Sequence, residues 1–498
     1  MSYRIHPSER VRHTIDQRAF LRVLAEHLPV ENLLSDPEDL RPYECDGLSA
    51  YRTLPWIVAL PDSLEQARAV LRLCRQHGVP VVARGAGTGL SGGALPVENG
   101  VLLSLAKFNR ILAIDPVNRT ATVQPGVRNL AVSEAAAVHG LYYAPDPSSQ
   151  IACTVGGNVA ENAGGVHCLK YGLTVHNVLN LKLLTLDGDL LELGTGGLDA
   201  PGYDLLALIT GSEGLLGVVA ELTLKLLPLP ETAQVLLAAY ESIEQAGEAV
   251  AAVIAAGLIP AGLEMMDNMA LRAAEEFIHA GYPVDAAAIV LCEMDGAASQ
   301  VQSDIARAHA VLTASGALSV QTAPDPQTRK KFWAGRKAAF PAIGRLAPDY
   351  YCMDGTIPRS RLSRVLAGIA RLSEEYGMDV ANVFHAGDGN LHPLILYDAN
   401  RPGDLEKAEE FGGRILELCI SAGGTLSGEH GVGVEKISQM CAQFTEAELR
   451  LFHAVKAVFD PDGLLNPGKA IPTLPRCAEF GALHVHGGKL PHPELERF

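Results

Sequence analysis

Val79-Pro-Val-Val-Ala83 reads as a buried strand, and it runs directly into Arg84-Gly85-Ala86-Gly87-Thr88-Gly89-Leu90-Ser91-Gly92-Gly93. No other feature restricts the fold so strongly. Gly87-x-Gly89-x-x-Gly92 formally matches the dinucleotide fingerprint. A fingerprint turn, however, must open a helix whose N-terminus receives the pyrophosphate. Pro96 and the Asn99-Gly100 turn follow at once, and the next strand starts at Val101. That leaves no length for the helix, so NAD is excluded at this site. What remains is a loop whose successive N–H groups can converge on phosphate oxygens, because no Cβ blocks their approach. A second loop, Thr154-Val-Gly156-Gly157-Asn158-Val-Ala-Glu-Asn162-Ala-Gly164-Gly165, has the same character. Two such loops in one α/β segment point to a phosphate-bearing cofactor.

The flanking sequence divides the chain. Residues 1–50 read as a polar N-terminal arm with one helical stretch at Asp16–Glu26. Residues 51–230 form the first domain. Ser63–His77 is helical in period, and Asp187-Gly188 joins the strands Val178–Leu186 and Leu190–Leu193 as a hairpin. Pro228-Leu-Pro230 marks the boundary. Residues 231–471 alternate strands (233–240, 288–294) with helices (244–256, 327–345, 360–376, 404–421) and imply an α+β layer on an antiparallel sheet. The segment 472–498 is a polar tail.

Net charge is −17, which argues against nucleic acid and anionic lipid as partners. The longest apolar run, Ala249–Leu263, is too short to span a bilayer and contains Pro260. The N-terminus has no apolar signal core. None of the nine cysteines forms a C-x-x-C pair, so neither a zinc ribbon, an iron–sulfur cluster nor a disulfide framework is expected. These features imply a cytoplasmic protein, with attachment to the inner membrane through a partner left open.

A second concentration of chemistry lies near the C-terminus. His385-Ala-Gly-Asp388-Gly-Asn390-Leu-His392 places two imidazoles around a tight reversal, so that they can face each other across a hairpin. Gly428-Glu429-His430-Gly431 adds an acid and a third imidazole. His385, His392 and Glu429 make an N₂O set with open positions, suited to one catalytic divalent metal. Zn²⁺ is the first choice, with Mn²⁺ or Fe²⁺ as alternatives. Asp388 reads as a turn residue. His430 diverges from its neighbour Glu429 and is better placed as a base.

Both regions carry a resemblance. Arg84–Gly93, Pro125-Gly126-Val127, Pro145-Asp146-Pro147-Ser148-Ser149, Gly156–Gly165 and Gly211-Ser212-Glu213-Gly214 with Gly217 follow the order of the FAD-binding domain of the vanillyl-alcohol oxidase family. The resemblance implies a two-subdomain FAD-binding domain followed by an α+β cap with an antiparallel sheet. It implies that Arg84, Gly85, Ala86, Gly87, Thr88, Gly89 and Ser91 bind the pyrophosphate. Pro145, Asp146, Ser148, Gly156, Gly157, Asn158 and Asn162 would lie along the ribityl chain and flavin. Gly164, Glu213, Gly217, Val219, Asn466 and Lys469 complete the implied FAD set. Some relatives tether flavin through a histidine where this chain has Thr88, so FAD would be noncovalent.

The motifs H-x-G-D-G-N-x-H, G-E-H-G-x-G and Phe459-Asp-Pro461-Asp-Gly463-Leu-Leu-Asn466-Pro467-Gly468-Lys469 extend the likeness to flavin-linked D-2-hydroxy-acid dehydrogenases. Arg336, in Trp333-Ala-Gly-Arg336, is then the candidate grip on the substrate carboxylate. Pro393-Leu394 after His392 replaces a polar pair of dicarboxylate-using relatives and suits glycolate or D-lactate. Such proteins work with a second flavin-type subunit and an iron–sulfur subunit, the expected partners here.

The two halves suit each other chemically. Flavin can take the hydride from Cα. An alcohol of pKa ~15 facing a histidine of ~6.5 is uphill by roughly 12 kcal/mol. A divalent metal lowers a bound hydroxyl's pKa by several units. His430 would then remove the proton. The rival readings are a stand-alone D-lactate or D-2-hydroxyglutarate dehydrogenase, a noncatalytic flavoprotein scaffold, and a metal-independent aryl-alcohol oxidase.

Overall fold

A computed structural model describes residues 15–197, 202–473 and Cys477. Ser63 caps the helix Leu64–His77 through its side chain, and Gly78, at φ 65°, ends it. Ala67, Val70, Leu71 and Cys74 on one face bury against a four-stranded sheet. Its order is Leu33–Leu34, Ile57–Ala59, Val101–Ser104, Val81–Arg84, and the last three strands run parallel. The glycine block therefore leaves the carboxyl end of Val81–Arg84 and reaches Val101 with no helix between.

The stretch read as a polar arm is packed into this unit. Gln17–Ala25 is amphipathic, and Phe20 and Leu24 are fully buried in the same core. The polar composition of residues 1–50 hid this, because only one face of the helix is apolar.

A five-stranded antiparallel sheet follows, in the order 111–115, 120–123, 218–225, 178–184, 190–194. Its last two strands are the expected hairpin, with Gly188 at φ 73° in the turn.

The cap is built on one antiparallel sheet. Its order is 319–322, 232–240, 288–296, 262–267, 380–385, 390–397, 349–352, with 355–356 also paired to 390–397. Strand Thr232–Tyr240 shows why the segment reads as continuously apolar. Leu236, Ala238 and Tyr240 enter one core, while Val235, Leu237 and Ala239 enter the other. Helices Ile243–Ala255, Ala298–Ala314, Leu362–Tyr376 and Asp404–Ser421 cover the first face. Asn268–Ile278 and Pro326–Ile343 cover the second, joined there by Val166 of the first domain.

The chain then returns to the first sheet, where Leu465 bridges to Val81. Cys441 and Cys477 form a disulfide across 36 residues, which irregular spacing could not foretell. It is a single tether, not a framework. Most of the tail lies outside the described residues. Among those described, no helix is long and apolar enough to cross a membrane.

Candidate active site

Strand Val81–Arg84 delivers the first glycine loop, and helix Val155–Glu161 carries the second at its start. The loops are pressed together. A Cβ on Gly85 would overlap Thr154 Oγ1, and one on Gly156 would overlap Pro125. Gly87 has φ 70°, with the Arg84 guanidinium where a side chain would go. Glycine is thus required sterically.

Between the loops lies a cavity of about 520 Å³. Of the residues expected to hold FAD, it is lined by Arg84, Gly85, Ala86, Gly87, Thr88, Gly89, Ser148, Gly156, Gly157, Asn158, Glu213, Gly217 and Val219. A cleft of this volume walled largely by glycines fits a dinucleotide-sized cofactor.

Seven expected residues stand behind this wall rather than on it. Ser91 is fully buried, and its carbonyl accepts from the N–H groups of Val434 and Glu435. The Pro145 carbonyl accepts from Asn129, and Asp146 pairs with His167 at 2.9 Å. Asn162 ends the second-loop helix in left-handed geometry, φ 53°. A Cβ on Gly164 would lie 2.6 Å from Glu429 Oε2, so this glycine makes room for the Glu429 side chain. Asn466 donates to the carbonyls of Gly93 and Glu213. Lys469 donates to the carbonyls of Gly93 and Leu95 and to Asn466 Oδ1. Burial, opposed by nearby Asp46 and Glu213, brings Lys469 down to about 7. The F-D-P-x-G-x-x-N-P-G-K motif therefore braces the first glycine loop from behind.

One end of the cavity is the cap's. His392, Glu429 and His430 line it there, with Lys337, Phe340 and Pro341 from helix Pro326–Ile343. His385 ends one strand of a hairpin, opposite Asn390, and His392 lies two residues further along the partner strand. Both point to one face, with ring centroids 5.1 Å apart. Glu429 Oε1 is 3.4 Å from His385 Nε2 and 3.0 Å from His392 Nε2. The three ligand atoms lie within 4.8 Å of one another. His392 Nε2 is buried and, despite its 3.0 Å approach to Glu429, has no hydrogen-bond partner. Two ligand atoms close together but not aimed at each other suit a third body between them.

The far side of each imidazole is also prepared. His385 Nδ1 meets Glu264 Oε1 at 2.9 Å, and His392 Nδ1 meets the Met353 carbonyl at 3.4 Å. Those contacts suit a ring proton on each Nδ1, with both Nε2 atoms turned toward Glu429.

Arg336 departs from expectation. It is 2% exposed, its Nη2 contacts Glu264 Oε2 at 2.6 Å, and it does not line the cavity. Its Nε and Nη2 nonetheless have no hydrogen-bond partner, so Glu264 neutralises the guanidinium without satisfying its fork. Burial raises Glu264, but the charges of His385 and Arg336 outweigh it and hold the acid below its usual range. The cation that does line the cap side is its neighbour Lys337.

His430 stacks on His392, with centroids 4.9 Å apart and planes at 12°. Its Nδ1 is buried, and its Nε2 is 3.9 Å from Glu429 Oε1. Burial, with the nearby His392 and Lys436 charges, draws its pKa down to about 4 against the pull of Asp354. Its surroundings thus disfavour the charged imidazolium. Asp388 accepts from Asn390 N as a turn residue.

Asp354, not singled out from the sequence, organises the Gly428–Gly431 loop. It accepts from the N–H groups of Gly428 (3.1 Å), Glu429 (3.2 Å) and His430 (2.9 Å), from Ser427 Oγ and from Asn390 Nδ2. Fully buried Lys436 balances its charge at 3.1 Å. Cys352 forms a second close group with His392 and His430.

Residues 55–194 match the family model described as FAD binding domain, and residues 229–470 match FAD linked oxidases, C-terminal domain. The chain is 66% identical to glycolate oxidase subunit GlcD of Escherichia coli (strain K12), over 97% of each chain. It is 40% identical to the Bacillus subtilis protein of that name, over 86% of this chain and 91% of the relative. It is 35% identical to D-lactate dehydrogenase of Anaerostipes hadrus, over 85% and 91%. In fold it is similar to p-cresol methylhydroxylase with substrate bound, at TM-score 0.78 and 18% identity, covering 92% of this chain and 97% of that one.

Proposed function

The chain belongs to the FAD-linked oxidases, a family of oxidoreductases, and from that premise we propose that it oxidises a small 2-hydroxy acid, with glycolate as first substrate and D-lactate beside it. The observation that carries this reading is the convergence of His385, His392 and Glu429, the last two lining the glycine-walled cavity, with His430 stacked on His392. When bound, FAD would supply the two-electron acceptor, and a divalent metal on His385 Nε2, His392 Nε2 and Glu429 would acidify the substrate hydroxyl.

His430 takes the hydroxyl proton. Its Nε2 is the ring nitrogen beside Glu429, and its lowered pKa keeps that nitrogen free to accept. Lys337 offers the charge that meets the substrate carboxylate, the role expected of Arg336. Arg336 instead fixes Glu264, which fixes the His385 ring. Phe340 closes the wall beside His392, at 6.2 Å between rings, and excludes water from one side. Glycolate and D-lactate differ by one methyl, worth about 1–3 kcal/mol in such a pocket, so both should react.

Electrons leave through a partner. Closely similar relatives are named as subunits, and this sequence has no cluster-type cysteine spacing, so an iron–sulfur subunit is the proposed acceptor. The test is reduction of the purified flavoprotein by glycolate and by D-lactate, followed as flavin bleaching before and after complete chelation. Bleaching by both acids that stops on chelation and returns with added metal is the expected result. Bleaching that survives metal removal would sink the metal's part.

A further inference from the structure

Two carboxyl groups of the cavity wall are unused by this chemistry. Glu161 ends the second-loop helix, and Glu213 stands in the loop before strand Val218–Lys225, at φ 51°. Both line the cavity. A Cβ on Gly431 would overlap Glu161 Oε2 and lie 3.0 Å from Glu213 Oε1. One on Gly93 would lie 2.6 Å from Glu161 Oε1 and 3.7 Å from Glu213 Oε2. The two groups therefore flank each other across the junction of the first glycine loop and the loop bearing His430.

Their partners differ sharply. Glu213 accepts from Val432 N through Oε1 and from Gly433 N through Oε2, both at 2.7 Å. Burial raises Glu213 above a usual carboxyl, but its two N–H donors oppose this and favour its charged form, which Glu161 lacks the partners to match. Glu161 Oε2 is buried with no hydrogen-bond partner. It also sits at the C-terminal, negative end of its helix. Two carboxyls this close do not both ionise in a dry site, and the proton resides on the one lacking donors. The other charges facing Glu161 are Asp46, which opposes ionisation, and Lys436 and Lys469, which favour it. Burial and the Glu213 charge outweigh the lysines and raise Glu161 well above a usual carboxyl.

We propose that Glu161, set against ionised Glu213, is a neutral carboxylic acid that presents a hydrogen-bond donor to FAD at the end of the cavity shared with His430. It is a positioning residue whose effect is on the flavin's electron affinity. A donor there stabilises the negative charge that reduction brings, and it does so without placing a carboxylate beside an electron-rich ring.

The inference rests on FAD as occupant and is independent of which acid is oxidised. A chain purified without a flavin spectrum would undo the former, and only spectra of the loaded protein address the latter. The holoprotein is poised against reference dyes and the reduced fraction read. Glu161→Gln, which keeps a neutral donor, should leave the midpoint unchanged. Glu161→Leu should lower the reduced-to-oxidised ratio about tenfold at fixed poise, the worth of one hydrogen bond to a charged acceptor. Redox-difference infrared spectra should show a neutral carboxyl stretch that moves on reduction and vanishes in Glu161→Gln. A midpoint that rises in the Gln variant means that Glu161 is ionised and overturns the proposal. So does the absence of that band, or a Leu variant with bound FAD and an unmoved midpoint. Should Glu161→Leu not retain FAD, the Gln midpoint and the infrared band decide.

Discussion

The two ends of the cavity are built from different materials. The cradle is largely glycine: residues 85, 87, 89, 156 and 157 line it and let its two loops close on each other, with Gly156 N donating to the Pro125 carbonyl and Gly157 N to Thr154 Oγ1. The cap end is side chain: His385, His392, Glu429 and His430, each held by something far off in sequence. Glu264 orients His385 across 121 residues, and Asp354 holds the His430 backbone across 76. A backbone site needs only a local run of permissive residues. A side-chain site needs a rigid sheet and buried counter-charges to fix each group. The same comparison explains why the cap carries an antiparallel sheet covered on both faces, while the cradle is mostly loop.

If the division holds, damage at the cap should stop chemistry with flavin still bound. The largest effect is expected at His430. His430→Gln should retain FAD and bind metal, yet reduce with glycolate about 10²–10⁴-fold more slowly, the usual worth of a positioned base. Single-turnover flavin reduction measures it. Normal reduction in that variant would remove the base assignment. The wild-type pH profile provides a companion readout. A base must be unprotonated, and burial lowers His430 to about 4, so reduction should persist well below the pH at which an ordinary histidine would shut it down. An acid limb near 6.5 would contradict the burial argument.

Damage at the cradle should do the reverse. In Gly85→Ala the new Cβ overlaps Thr154 Oγ1 and forces the two glycine loops apart. Overpacking of this kind costs about 1–3 kcal/mol, so FAD affinity should fall about 10–100-fold. Metal affinity, read by equilibrium dialysis, should stay put. A variant that loses metal as well would show that the two ends fold as one unit, coupled through the Glu213 contacts to Val432 and Gly433.

The same contrast decided what could be read from the sequence. The glycine loops and the absence of a Rossmann helix were legible because they are local. So were His385, His392, Glu429 and His430, since paired histidines around a tight turn are rare without a purpose. Asp354 was not, because Met353-Asp354-Gly355 looks like any turn and its six donors arrive from elsewhere in the chain. Glu264 left a trace that goes unread by period alone: a charged residue inside Gly262–Asp267, a strand buried at every position. An acid there must have a buried partner. Arg336 was found, but its ion pair with Glu264 was not, because a guanidinium fork fits a protein carboxylate as well as a substrate's. Phe20 and Leu24 were missed for the opposite reason, as two apolar residues in a polar segment.

Glu264 permits the finest test, because it belongs to the cap but touches neither cavity nor ligand atoms. Its Oε1 holds the His385 ring by Nδ1, and its Oε2 holds Arg336. Glu264→Gln keeps the shape and one acceptor but removes the charge, leaving Arg336 buried without its counter-ion. Loss of a carboxylate behind a metal-ligating histidine costs about 10–100-fold in metal affinity. FAD content should not change, and saturating metal should restore most of the reduction rate, because His430 and Glu429 are untouched. A second change separates orientation from charge. Arg336→Met in the Glu264→Gln background removes the orphaned cation, and stability should recover while metal affinity stays low. If metal affinity recovers with it, the loss came from the stranded guanidinium, and the histidine ring is held by the sheet alone.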